Sequence, residues 1–261
     1  MKYLKSRIAA GTPTYGVWMH IASASIAEAT VHAGFPLVLI DNEHGPASLE
    51  TTLGMMRAIE AAGGEVIIRV PSSDPIYLKR ILELGPSGLL VPQIDSAEEA
   101  AATVEACRYP PHGRRGFARA IRAARYGQRP DYVREAHGEL TLMLQVETRA
   151  ALDNLEAIAA VEGIDVLFIG PYDLSGAVGQ LGETGGAEVL EAIARIESVA
   201  RDKGLALGTV PRATADANQL FEMGYSLVMG TSDVAALMAG LQAEAEVIPQ
   251  AARSLGPAGA G

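Results

Sequence analysis

The chain has 261 residues, 49% of them hydrophobic but only 5% aromatic, and a formal net charge of −10 at pH 7. The excess of acid argues against a general nucleic-acid binder, which needs a basic face. The single cysteine, Cys107, excludes an internal disulfide and a Cys-based zinc site.

The opening segment, "MKYLKSRIAAGTPTYG", carries two lysines but no long apolar stretch, so it does not read as a signal peptide. No window reaches an uninterrupted transmembrane length, and a soluble cytoplasmic protein is the expectation. Short apolar runs rich in β-formers then alternate with Ala- and Leu-rich helical patterns. The strand run Tyr15–Met19 precedes the helix pattern Ser25–Ala33, and Leu37–Ile40 precedes Ser48–Ala62. Glu65–Val70 leads to Pro75–Leu84, where Asp74 is placed to cap the helix and Pro75 takes its first position. Gly88–Val91 leads to Ala97–Ala106. In the second half Leu140–Glu147 leads to Arg149–Ala160, and Asp165–Gly170 precedes Ala187–Lys203. Leu205–Val210 and Ser226–Gly230 are followed by Ala213–Met223 and Ser232–Ala245.

Strand runs this continuous are buried on both faces, as in a parallel sheet. Eight strand–helix units in one chain predict an α/β fold, a (β/α)8 TIM barrel. The alternative is a doubly wound open sheet, but the first strand run ends in Met19-His20-Ile21, without the Gly-rich turn that such sheets place there. No low-complexity linker divides the chain, so residues 1–250 read as one barrel domain and 251–261 as a flexible tail. The connection Arg108–Arg129 is too long for an ordinary loop of this fold and holds seven of the 21 Lys and Arg residues. It reads as a solvated or subunit-contacting loop, or as a lid whose arginines meet an anionic substrate.

Barrel chemistry sits at the C-terminal ends of the strands, and that is where the polar residues collect. "LVLIDNEHGP" passes from four apolar residues into Asp41, Glu43 and His44. Trp18 and His20 follow the first strand, Arg69 ends the third, Gln145 and Glu147 end the fifth, and Tyr172 and Asp173 follow the sixth. Thr231, Ser232 and Asp233 follow the eighth. Glu147 and Asp173, on neighbouring strands, suit a Mg²⁺ or Mn²⁺ ion with positions open to water and substrate; each alone also suits a helix N-terminus. Arg69 sits in a run that should be buried and needs an anionic partner, either a structural acid or a substrate. The only lysines are Lys2, Lys5, Lys79 and Lys203, none of them at a strand end, so no lysine is placed to form a Schiff base. Carbanion chemistry here would need a metal ion.

"LVLIDNEHGP", "VIIRVP", "LLVPQIDSAEEA", "YPPHGRRG", "LMLQVETRAALDNL" and "VLFIGPYDLSGAVGQLG" together resemble the HpcH/HpaI family, from about Gly16 to Met238. These are metal-dependent (class II) pyruvate aldolases of the 4-hydroxy-2-oxoheptanedioate and 2-keto-3-deoxy-sugar-acid type. The resemblance implies a (β/α)8 barrel assembled as a hexamer, a trimer of dimers, with the C-terminal helix exchanged between subunits. It implies a divalent ion (Mg²⁺, Mn²⁺ or Co²⁺) ligated by Glu147 and Asp173, with Gln145 and Arg69 on the pyruvate unit. His44, paired with Asp41, would act with a metal-bound water as acid and base, and Glu43 would hold that water. The N–H groups of Tyr172 and Asp173 would take the substrate carboxylate. Asn42 and Tyr172 stand where many relatives are expected to carry smaller residues. The implied reaction is reversible aldol cleavage of a 4-hydroxy-2-oxo acid to pyruvate, or an analogue such as hydroxypyruvate, and an aldehyde, through a metal-stabilised enolate. An acyl-CoA lyase of the citryl- or malyl-CoA type and a non-catalytic oxoacid-binding barrel are the rival readings.

Overall fold

The computed structural model describes residues 3–248. Eight parallel strands close on themselves in sequence order, β1 pairing with both β2 and β8. The first half runs α1 (Leu4–Ala9), β1 (Thr14–Met19), α2 (Ala24–His32), β2 (Leu37–Asp41), α3 (Leu49–Ala61), β3 (Glu65–Arg69), α4 (Pro75–Leu84), β4 (Gly88–Val91) and α5 (Ala97–Cys107). The second half runs α6 (Tyr132–Glu139), β5 (Thr141–Val146), α7 (Arg149–Asp153), α8 (Leu155–Ala159), β6 (Val166–Ile169) and α9 (Pro171–Ala177). It ends with α10 (Ala187–Lys203), β7 (Ala206–Thr209), α11 (Ala217–Glu222), β8 (Leu227–Ser232) and α12 (Asp233–Glu246). The expected (β/α)8 barrel is the fold.

Successive strand residues point to opposite faces, and this alternation sorts each strand. Val38, Ile40, Val66, Ile68, Leu142, Leu144, Leu167 and Ile169 face outward into the layer beneath the helices. Leu37, Leu39, Ile67, Leu90, Met143, Val166 and Phe168 face inward and fill the lumen. Leu4 and Ile8 of α1 join this inner cluster and plug one end of it. Continuing the inward set along each strand puts Asp41 after Leu39, Arg69 after Ile67, and Gln145 after Met143. The same parity carries Glu147 one step beyond β5. Asp41 and Arg69 are direct register partners across β2 and β3. The β1–β8 pairing shifts register between Gly16 and Trp18. Such irregularities re-aim side chains next to active sites, and here one brings the end of β1 against the start of α12.

The structure differs from the sequence reading in its connections. The single pattern Arg149–Ala160 is two short helices broken at Asn154. The pattern expected from Ala213 starts at Ala217, because Asp216 and Gln219 form a reciprocal capping box there. Three helices were not expected: α1, α6 and α9. The long Arg108–Arg129 connection holds a 3₁₀ turn, Arg122–Gly127, and none of its residues lines the cavity described below. Arg114 pairs with Glu105, Arg122 with Glu60, and Arg129 with Glu135 and Glu139. Arg115 is buried over the Tyr109 ring. Within one chain this segment is therefore no lid. α12 packs on β1 and β8 of its own chain and leaves Val234, Leu237, Met238 and Leu241 exposed. No helix among the described residues is long and apolar enough to cross a membrane. The tail at 251–261 lies outside the described residues.

Candidate active site

A cavity of about 550 Å³ opens at the C-terminal ends of the strands, with Trp18, His20, His44, Arg69, Gln145 and Asp173 among its walls. A second recess, walled by Glu43, Gln93 and Glu147, shares His44 and Asp173 with it. The rim residues singled out in the sequence thus converge on one place.

Asp41 is the hub of one side. Its carboxylate is 1% exposed and accepts side-on from Arg69, Nε to Oδ1 at 2.9 Å and Nη2 to Oδ2 at 2.6 Å. The indole N–H of Trp18 donates to Oδ2 at 3.2 Å, and His20 Nε2 lies 3.3 Å from the same oxygen. The backbone N–H groups of Glu43 and His44 donate to Oδ1 at 3.0 and 3.3 Å. Burial alone would raise this carboxyl, but the donors of His20, Arg69 and Trp18 outweigh it and hold Asp41 well below the usual carboxylate range. Arg69 also stacks over the Trp18 ring at 4.6 Å. Its Nη1 approaches Glu43 Oε2 at 3.0 Å, a charge contact without hydrogen-bond geometry that leaves this buried oxygen unbonded.

The other side is built from acids. Glu147 is 4% exposed. Its Oε1 accepts from the backbone N–H of Gln93 at 3.0 Å, and its Oε2 is held by Gln145 Nε2. Gln93 makes that bond from a left-handed backbone, φ 54°, a conformation that costs energy in a residue with a Cβ and is typical of functional sites. Burial, reinforced by the negative charge of Asp173, pushes the Glu147 carboxyl up to about 7. Burial likewise raises Glu43, with Arg69 and His44 opposing it. Gln145 Oε1 is buried and has no hydrogen-bond partner among the described residues. A Cβ on Gly170 would stand 2.9 Å from Glu147 Oε2 and 2.7 Å from Gln145 Nε2, so only glycine lets the β6 end approach this pair.

These features fit a divalent cation: hard oxygen donors, the negative charge of Asp173 beside Glu147, and a buried Gln145 oxygen without a hydrogen bond among the described residues. No group of three or more His, Cys, Asp or Glu disposed to hold a metal is found among the described residues. The chain would therefore supply Glu147 and Asp173, and water or substrate the rest.

Every residue expected at the site is near it, but one pairing differs. Asp41 was expected to orient the His44 imidazole. It instead receives the His44 backbone N–H, and its carboxylate faces the imidazole of His20. The reason is geometric: the turn after β2 wraps back over Asp41, so the backbone at Glu43 and His44 reaches the carboxylate first. No hydrogen bond to the His44 ring is found among the described residues. Asn42, buried between Tyr77 and Thr52, is a packing residue that bonds to both. Asp233 was noted only as a rim residue, yet it binds the backbone of His20 and Ile21 at 2.9 and 2.8 Å. Its part depends on the β1–β8 register shift, which leaves no mark in the sequence.

Residues 14–239 match the HpcH/HpaI aldolase/citrate lyase family. The hydroxypyruvate/pyruvate aldolase of Paraburkholderia phytofirmans is 41% identical over 237 residues, covering 88% of this chain and 91% of that one. The 2-dehydro-3,6-dideoxy-6-sulfogluconate aldolase of Pseudomonas putida is 40% identical, covering 85% and 88%. The crystal structure of an HpcH/HpaI aldolase/citrate lyase family protein from Burkholderia cenocepacia superposes with a TM-score of 0.89 at 38% identity, covering 95% of this chain and 99% of that one. With its barrel and nearly its whole length matched, the chain belongs to the HpcH/HpaI aldolase/citrate lyase family.

Proposed function

We propose that the chain is a class II pyruvate aldolase, a lyase that reversibly cleaves a 4-hydroxy-2-oxo acid into pyruvate or hydroxypyruvate and an aldehyde. The observation that carries this is the division of the rim. A clamped arginine and a free imidazole stand beside two acids that lack a counter-charge. Relatives about 40% identical bear the names of aldolases acting on such oxoacids.

Tyr172 and Asp173 lie in the first turn of α9, where N–H groups have no carbonyl one turn back; they would take the substrate carboxylate. Gln145 would hold the keto acid from the β5 side. Asp41 engages Arg69 through Nε and Nη2, leaving other guanidinium N–H groups for the C2 oxygen, where charge grows as the bond breaks. A divalent ion on Glu147 and Asp173 would polarise the keto group and neutralise that charge. His44 takes the proton of the C4 hydroxyl, directly or through a water that Glu43 holds. As the C3–C4 bond breaks, its electrons form the C2–C3 double bond, the C2 oxygen becomes an enolate, and the aldehyde departs. Return of a proton to C3 gives pyruvate, and addition is the reverse.

Arg114, Arg122 and Arg129, three of the seven arginines of residues 108–129, are engaged by the chain's own acids, which weakens the acyl-CoA reading by leaving fewer phosphate-binding candidates. The exposed apolar residues Val234, Leu237, Met238 and Leu241 support assembly of several copies; a hexamer and a cytoplasmic location follow from the family reading alone. The test is exchange of pyruvate C3 protons with deuterium. EDTA should abolish it and Mg²⁺, Mn²⁺ or Co²⁺ restore it, while borohydride with pyruvate leaves the protein mass unchanged. A reduced pyruvyl–lysine adduct with loss of activity would overturn the reading.

A further inference from the structure

His20 is bound more tightly than a cavity-wall residue requires. Asp233, at the start of α12, accepts the backbone N–H of His20 at 2.9 Å and of Ile21 at 2.8 Å, besides Val234 of its own helix at 2.8 Å. The imidazole lies between two carboxylates on different elements: Nε2 is 3.3 Å from Asp41 Oδ2, and Nδ1, 3.8 Å from Asp233 Oδ1, makes a charge contact there and no hydrogen bond among the described residues. The ring lies roughly parallel to Trp18, centroids 6.4 Å apart, and the two side chains aim their N–H groups at one Asp41 oxygen.

We propose that His20 is a positioning residue of the aldol reaction: its imidazole, bridging Asp41 and Asp233, fixes the carboxylate that sets Arg69 and the Glu43–His44 turn. This rests on the aldolase reading. The charged groups around the ring are Asp41 of β2, Glu43 and His44 of the turn after it, Arg69 of β3 and Asp233 of α12. Three of these are acids, and Arg69 is the one permanent cation among them, so a second cation is favoured in the gap. The Asp233 contact first, and Asp41 second, raise the imidazole to about 9 against the opposing effect of burial. The surrounding acids thus favour the protonated ring at neutral pH. It cannot serve as the base, and that task is left to His44. Loss of its proton would turn a donor facing Asp41 into a lone pair, and the carboxylate would be free to swing away from the arginine it aligns.

The clamp is read in the resting protein by NMR titration of the His20 ring, and its consequence by pyruvate C3-proton exchange across pH. In the wild type the ring should titrate near 9 and exchange should fall through the same range. In Asp233→Asn both should move toward the ordinary histidine value, about 6.5. His20→Phe should lower kcat for exchange about 10–100-fold, the scale of a misplaced catalytic group. It should change the pyruvate KM less and lack the alkaline fall. A wild-type ring titrating near 6.5 would overturn the proposal. So would a folded His20→Phe with kcat within about twofold of wild type and an unchanged pH profile, as a merely structural histidine would give. Should His20→Phe not fold, Asp233→Asn decides: an unmoved titration and pH profile would overturn the proposal. Wild-type protein without any exchange would instead overturn the aldolase reading, while the titration would still decide the clamp.

Discussion

Around Asp41, at the ends of β1 to β3, a buried acid meets five residues of its own chain, Trp18, His20, Glu43, His44 and Arg69; around Glu147, at the ends of β5 and β6, a buried acid faces another acid. The two carboxylates are about equally hidden, 1% and 4% exposed, yet their affinities for protons move in opposite directions. Burial penalises the charged form in both. What differs is the supply of partners, Arg69, His20 and Trp18 on one side against a glutamine and one backbone N–H on the other. The first side is preorganised before anything binds. The second holds an imbalance that the proposed cation would relieve, and one ring of strand ends would then be rigid and receptive together.

The largest effects are expected on the receptive side. Glu147→Gln and Asp173→Asn keep shape and remove charge. Each should abolish divalent-ion binding in calorimetry and cut turnover about 10²–10⁴-fold or more, since such an ion contributes several kcal/mol. The metal-free melting temperature should meanwhile rise, because one of two facing charges is gone. A variant that melts lower than wild type and still binds Mn²⁺ normally would show that the two acids do not oppose one another.

His44 joins the two sides, with its backbone tied to Asp41 and its ring left free. His44→Ala should therefore lose about 10²–10⁴-fold in kcat, the usual contribution of a general acid or base. Its unfolding free energy should stay within about 0.5 kcal/mol of wild type, as for a side chain without bonded partners. A kcat within a few-fold of wild type on a saturating aldol substrate would remove His44 from the mechanism.

Much of this contrast was legible in the sequence. Alternation along "LVLID", "VIIR" and "LMLQVE" puts Asp41, Arg69, Gln145 and Glu147 on the lumen face once the strands are assigned. Two apolar residues of each run identify the face for the polar one that follows. The missing strand-end lysine pointed to a metal in the same way. What was not legible depends on distances between elements. The His20–Asp41 pairing follows from how the turn at Glu43 wraps back, and the Asp233 contacts follow from a register shift at β1. The short helix α6 is polar overall, and the seven residues of α9 are too few to show an apolar period; Arg114, Arg122 and Arg129 found partners on α5, α3 and α6 that spacing could not name.

Arg69→Lys tests the preorganised side with a smaller effect. Lysine keeps the charge but cannot bond Asp41 through two coplanar donors. We expect kcat/KM to fall at least about tenfold, a loss of ~1.4 kcal/mol. The melting temperature should fall too, unlike that of His44→Ala, because Asp41 keeps its burial and loses a partner. Near-normal exchange with a clearly lower melting temperature would make Arg69 a purely structural residue.

The smallest effect is a pH dependence of stability, set where the preorganised side depends on a titrating group. His20 binds its proton more tightly in the folded chain, with a value near 9, than in the unfolded one, where about 6.5 applies. The folded state therefore holds more protons between these values, and stability falls as pH rises across them. The contribution is complete below about 6.5 and is lost as pH passes through about 9. The imidazole is partly open to solvent, so screening keeps the effect modest. Urea unfolding of metal-free wild type and Asp233→Asn separates it from everything pH-independent. Asp233→Asn keeps one acceptor oxygen and so forfeits one of the two caps, on His20 or Ile21, at any pH, which gives a constant offset. It also releases the proton-binding preference, which adds to the gap at neutral pH and vanishes under alkaline conditions. The gap between the two proteins should thus narrow as pH climbs through about 9. A gap that stays constant from about pH 7 to about pH 10 would mean that Asp233 holds the backbone of β1 but not the charge of His20.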